Sequence, residues 1–260
     1  MTDPSEQARL ALATLPLSFP EPEDVVFVSG EPGWPAGLAT ALKSGAVVLV
    51  DPVPAEVDEL PAVAGSVVVD TPWASNPAIE NAADAFREAA TEGSRVECRV
   101  IAPPGSDFTK VLLHQVILIR AVLDPVTRLR ILHLSEHSLH AEGTTETSVA
   151  IDFSIVCTRA LPASASLRLI TSDGSVDLSI PSSDTAQPAR LTTVGPSGAV
   201  QAPTQYETAH RATLRRLREL QATGPADGLT ELRHLQADID VTTDGFHAAP
   251  YVLDTIKELS

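Results

Sequence analysis

Lys110 and His114 stand four residues apart in the apolar run FTKVLLHQVILIRAVL (108–123). On a helix, side chains at i and i+4 share a face, and an ammonium beside an imidazole forms a workable acid/base pair because histidine titrates near neutral pH. The plainer reading is a core histidine hydrogen-bonded inside an apolar helix and a solvated lysine near its start. One turn to either side of His114 stand Lys110 and Leu118, neither of them acidic. A second group is Trp34, Trp73 and Asp51, which follow apolar runs that read as strands. Strand ends are where open α/β sheets build ligand crevices, and an indole can stack on a sugar ring or other flat ligand with a carboxylate as polar contact. Capping the sheet edge would also account for the tryptophans.

Other constellations carry less. In HLSEHSLH, His133 and His137 fall on one face of an extended strand, about 13 Å apart, and His140 on the other. One metal ion, with Zn–N bonds of about 2 Å, cannot reach all three, so no metal site is expected. The glycine-rich stretch GEPGWPAG (30–37) lacks the Lys-Ser/Thr of a P-loop and the spacing of a dinucleotide turn, so it reads as a plain loop. Cys98 and Cys157 lie in apolar or alternating runs, which makes them reduced, buried thiols. No GxSxG elbow is present, and nucleophilic catalysis has no support.

The elements that must position these residues follow from periodicity. DVVFVSG and AVVLVD are buried strands flanking WPAGLATALKSG, whose Leu38, Ala41 and Leu42 recur at helical spacing before Gly45. Strand, helix, strand in this span is a βαβ unit with parallel strands. GSVVVDTPWASNP opens a second βαβ-like unit, with a helix from Pro77 to about Ala90 and then the strand SRVECRVIA. Residues 108–123 form a helix buried between layers. From Val126 to about Val194 the period becomes two, with ILHLSEHSLHAE and TSVAIDFSIVCT as long alternating strands and Ser172-Asp173-Gly174 as a turn, which is the pattern of an antiparallel meander. Further helices are expected at 6–15, 206–223 and 247–259.

Composition bounds the partners. The chain has 260 residues, 43% of them hydrophobic, enough for a sizeable core. A net charge of −16 argues against nucleic acid and against an anionic membrane, which need Lys/Arg patches. The N-terminus lacks a signal-peptide pattern and no apolar run reaches the roughly 18 residues of a membrane span, so a cytoplasmic location is expected.

The order of these pieces resembles the Gfo/Idh/MocA family of glucose-fructose oxidoreductases and inositol dehydrogenases. DVVFVSG…WPAGLATALKSGAVVLVDPVPA is similar to that family's fourth strand, helix and fifth strand. PWASNPAIENAADAFREAATEGSRVECRVIA looks like its first C-terminal-domain helix and strand. DFTKVLLHQVILIRAVL resembles the helix bearing an Asp-x-Gly-x-His pattern, and DGFHAAPYVLDTIKELS the closing helix. The resemblance spans about residues 24–260 and implies an α/β plus α+β fold. A Rossmann-like parallel-sheet remnant (24–64), after an N-terminal segment (1–23), would precede a C-terminal domain (65–260) built on a large, mostly antiparallel open sheet covered by helices.

Three departures limit what the resemblance implies. There is no GxGxxG, and 24 residues are too few for the missing βα units, so the dinucleotide-binding half is expected to be absent. Where the family's fifth strand ends in Glu-Lys-Pro, this chain has Asp51, Pro52 and Val53. In the helix, Lys110 and Leu112 replace the Asp and Gly, and only His114 is kept. The expectation is therefore a degenerate member without a cofactor of its own, not an autonomous NAD-dependent dehydrogenase. It would serve as an accessory or non-catalytic subunit, a pseudoenzyme, forming a homo-oligomer or a hetero-oligomer with a full-length relative through the open sheet. The alternatives are a sugar- or cyclitol-type oxidoreductase or cofactor-independent isomerase or lyase using His114 and Lys110, or a module that binds a small polar ligand.

Overall fold

In the computed structural model, which describes residues 25–43, 45–55, 66–182, 185, 187–223 and 226–249, two compact units form from interleaved stretches of chain. The first takes residues 1–77 and 207–239, the second 78–206 and 240–260.

The first unit is built on a parallel sheet of β1 (Val25–Ser29), β2 (Ala46–Val50) and β3 (Val67–Asp70), in the order β1-β2-β3. Helix α1 (Trp34–Ala41) connects β1 to β2. Every residue of β2 and β3 is buried, as expected of unbroken apolar strands in a parallel sheet covered on both faces. Part of that cover comes from far along the chain: Leu214 and Leu217 of α4 (Ala209–Thr223) pack with Val48, Val50 and Val68. The first part of α5 (Ala226–His247) also belongs to this unit.

The second unit is an eight-stranded sheet of order β11-β10-β9-β8-β4-β7-β6-β5. Its strands are β4 (Arg95–Ala102), β5 (Val126–Leu134), β6 (Ser138–Thr145), β7 (Ala150–Cys157), β8 (Ser164–Ile170), β9 (Ser175–Pro181), β10 (Arg190–Gly195) and β11 (Gly198–Gln201). All neighbours are antiparallel except β4 and β7, which run parallel at the centre. One face is apolar. Val96, Phe153, Ile155, Leu167, Leu169 and Leu178 are almost fully buried on it, and α2 (Ala78–Ala89) and α3 (Phe108–Val122) cover it. The other face carries the alternate, polar residues of the same strands, the period-two pattern of a half-covered sheet.

The α/β plus α+β architecture matches the sequence expectation, and several boundaries differ. β3 pairs with β2 in the first sheet, whereas β4 enters the second, so α2 joins two sheets and closes no second βαβ unit. The parallel unit accordingly extends past residue 64 to Pro77 and regains 207–239. HLSEHSLH is not one long strand: Ser135–Ser138 form a tight turn, closed by Ser135 N–H donating to the Ser138 carbonyl at 2.9 Å and by their paired hydroxyls. Polar residues that hydrogen-bond locally favour turns over strand continuation. The helix expected from His247 onward is instead preceded by α5, which ends there; residues 250–260 and 6–15 lie outside the described residues.

Candidate functional site

The C-terminal ends of β1 and β2, where an open parallel sheet presents its crevice, are tied together by backbone. Gly30 N–H donates to the Val50 carbonyl at 2.7 Å, and Val53 N–H donates to the Gly30 carbonyl at 2.9 Å. Asp51 turns the chain between them with φ of +56°, a left-handed conformation that Asp tolerates better than most residues. Pro52 is buried against Gly30 so closely that a Cβ on Gly30 would lie 2.3 Å from the Pro52 Cα. Trp34 lies across the same loop, 2% exposed, its indole N–H donating to the Val53 carbonyl at 2.9 Å.

This crest does not fit a dinucleotide. A pyrophosphate is held by unspent amides at a helix N-terminus behind a glycine-rich turn. Between Gly30 and Ala36, the Gly30, Trp34 and Ala36 amides already donate to the carbonyls of Val50, Glu31 and Gly33, and Pro32 and Pro35 have no N–H. The exposed Glu31 adds negative charge. Gly30 is required by the approach of Pro52, which leaves no room for a side chain there.

A second constellation lies at the end of β3. Asp70 is 1% exposed, and its Oδ2 stands 2.6 Å from His210 Nδ1 while Oδ1 accepts from the Thr213 hydroxyl at 3.0 Å. Beside it the Thr71 amide donates to Ser75 Oγ at 2.9 Å, and Ser75 hydroxyl reaches the Val69 carbonyl. Glu231 accepts from the Val69 amide at 2.8 Å and from Arg216. A buried carboxylate needs such partners to offset its desolvation. The His210 and Thr213 contacts to Asp70 pin the first turn of α4 to the end of β3. The sequence reading missed this cluster. VVVD repeats the strand-then-Asp pattern of VVLVD, but His210 is 140 residues away and no local spacing connects them.

The residues singled out from sequence are placed as follows. His114 is 3% exposed in the middle of α3, and Lys110 is half-buried on the same helix. Trp73 is 7% exposed and, like Trp34 and the half-buried Asp51, belongs to the first unit. Among the described residues no three His, Cys, Asp or Glu side chains gather as a metal site. His133 and His140 face each other across β5 and β6, on one side of the hairpin, because the 135–138 turn reverses the chain; on a single strand they would have pointed apart. Cys98 and Cys157 are free and buried. Burial pushes the Cys98 thiol up to about 12, against a smaller opposing effect of the Gln115 hydrogen bond, and also raises Cys157.

A three-stranded parallel sheet joined to a large, mostly antiparallel sheet covered by helices defines an oxidoreductase-type fold. The chain has the fold of the Gfo/Idh/MocA-type oxidoreductases. UDP-N-acetylglucosamine 3-dehydrogenase GnnA from Acidithiobacillus ferrooxidans superposes with a TM-score of 0.59 at 13% identity, covering 85% of this chain and 78% of that one. KijD10, a 3-ketoreductase from Actinomadura kijaniata, gives 0.58 at 12% identity over 85% and 77%. An oxidoreductase from Agrobacterium radiobacter, solved with NAD+, L-tartaric acid and magnesium, gives 0.55 at 11% over 84% and 75%. At these identities the likeness is one of fold. No family model and no curated protein sequence matches the chain. Among the described residues no helix is long and apolar enough to cross a membrane.

Proposed function

We propose that this chain is an oxidoreductase-fold protein that binds no dinucleotide by itself and acts as a non-catalytic or accessory subunit, assembling through the open face of its large sheet. The observation that carries the reading is the closed crest of the small sheet. Where a crevice is expected, Gly30, Asp51, Pro52 and Val53 are packed backbone to backbone and the Gly30, Trp34 and Ala36 amides are spent on carbonyls. Pro52, where the resembling family has lysine, carries a ring that supplies neither a proton nor a charge. The polar face of the eight-stranded sheet, opposite the one that α2 and α3 cover, supports assembly, since a self-complementary face can pair about a two-fold axis.

Two measurements test it. NADH and NADPH titrations followed by nicotinamide fluorescence should show no saturable binding, and saturation at micromolar cofactor would overturn the reading. Light scattering of the purified chain, alone and co-expressed with a full-length Gfo/Idh/MocA-type oxidoreductase, should give a stable homo- or hetero-oligomer. A monomer under both conditions would refute the assembly role.

A further inference from the structure

Strand register sorts the open face of the large sheet into rows. One row, from β10 to β5, reads Arg190, Ser179, Ser166, Arg99, Ser154, His140, His133. The next reads Thr192, Asp177, Arg168, Glu97, Asp152, Glu142, Arg130. Their electrostatics differ. In the second row the acids are answered: Arg168 donates to Asp177, Arg130 to Glu142 at 2.9 Å, and Arg95, from the row beyond, to Asp152. The hydrogen bonds to Asp152 and Asp177, with a smaller contribution from Glu97, raise the pKa of Arg95 and Arg168. The first row contains no carboxylate, and among the described residues the Arg99 and Arg190 guanidiniums have no ion-pair partner. The imbalance stands out in a chain of net charge −16.

We propose that this strip binds a small phosphate-bearing ligand, its phosphoryl group seated over Ser166 and Ser179 and clamped between Arg99 and Arg190. The four residues occupy consecutive register positions on β4, β8, β9 and β10. Three inter-strand steps separate the two arginines by about 14 Å at the backbone, a span that two extended side chains close from both ends. A guanidinium offers a planar fork of donors that matches phosphate oxygens, and the serine hydroxyls between add two more. The residues line a hollow of about 410 Å³, with Thr192 at one side. On the side of the second row the lining holds Glu97 and Asp177, the latter paired with Arg168, so the carboxylates there keep an anion over the first row. A phosphate monoester is close to a dianion at neutral pH, matching the two cations.

The test is calorimetric titration of the whole chain with inorganic phosphate and with pyrophosphate at low ionic strength, with sulfate as the competing tetrahedral anion. One site per chain is expected, weakened about tenfold by Arg99→Ala or Arg190→Ala, weakened less by Arg99→Lys, and abolished in the double alanine variant. All three positions probed are exposed, and unchanged melting of each variant without ligand confirms that the fold is intact; Lys43→Ala should bind as the unmodified chain does. No saturable heat, or binding that survives the double substitution, overturns the proposal. Sulfate binding as tight as phosphate, lost with the same residues, overturns the phosphate assignment. The assembly reading uses the same open face, so light scattering accompanies the titration in the same buffers. Saturable binding by a chain that stays monomeric supports the site and refutes the assembly reading, whereas an oligomer with no saturable heat supports assembly and overturns the site.

Discussion

Gly30→Ala puts the closed crest under direct stress. The added methyl would sit 2.3 Å from Pro52 Cα, 2.5 Å from Pro52 N and 2.5 Å from the Asp51 carbonyl oxygen. All three are backbone atoms, so no rotamer change relieves the contact and the 51–53 loop must lift from β1. That movement strains or breaks two backbone hydrogen bonds, Gly30 to Val50 and Val53 to Gly30, each worth about 1 kcal/mol, and adds an overpacking cost of about 1–3 kcal/mol. The sum is about 3–5 kcal/mol, large for one methyl. Urea unfolding followed by tryptophan fluorescence is the assay, because Trp34 and Trp73, the two tryptophans, both belong to the unit being perturbed. The backbone origin has its own check: adding Pro52→Gly should not rescue the variant, since the clashing atoms remain. A loss below about 1 kcal/mol, or rescue by Pro52→Gly, would show that the loop does not pack as described and would remove the main support for a crest closed to cofactors.

The other expectations can be checked with the same unfolding assay or simple labelling. Gly245→Ala meets only the end of the Leu129 side chain, 2.3 Å from Cδ2, and should cost less than about 1 kcal/mol because that leucine can turn away; a cost as large as that of Gly30→Ala would contradict it. Asp70→Ala leaves His210 and Thr213 without their acceptor at a buried position and should cost about 3 kcal/mol, with Asp70→Asn milder; equal stability would show that the pair does not pin α4. Native Cys98, held neutral up to about 12 by burial, should resist thiol reagents at pH 8 until urea unfolds the chain. The unfolded thiol ionises from its ordinary 9.0 while the folded one does not, so this contribution to stability is intact below pH 9 and is lost as pH rises toward 12. Rapid labelling in the native state would refute that burial.

Local pattern in the sequence determined most of the elements. Five apolar residues in a row between a glycine and an aspartate made β2 legible as a buried strand, the apolar stripe from Ile79 to Phe86 marked α2, and strict alternation marked β4 and the strands of the meander. These signals are read within one element, where periodicity reports which face is buried. The missing glycine-rich turn and the proline at position 52 were legible in the same way. Tertiary structure alone decided which elements keep company. That β4 lies parallel to β7, 55 residues on, that β3 pairs with β2, 20 residues back, and that 207–239 return to the first unit depend on contacts between elements that leave no trace in local spacing. The same holds at the level of sites. Asp70 meets His210 across 140 residues, and Arg99, Ser166, Ser179 and Arg190 share one row only because inter-strand register lines them up. A strand's pattern tells which face a side chain takes, but its neighbours on that face are chosen by pairing, and pairing is settled by how the whole sheet buries its apolar side.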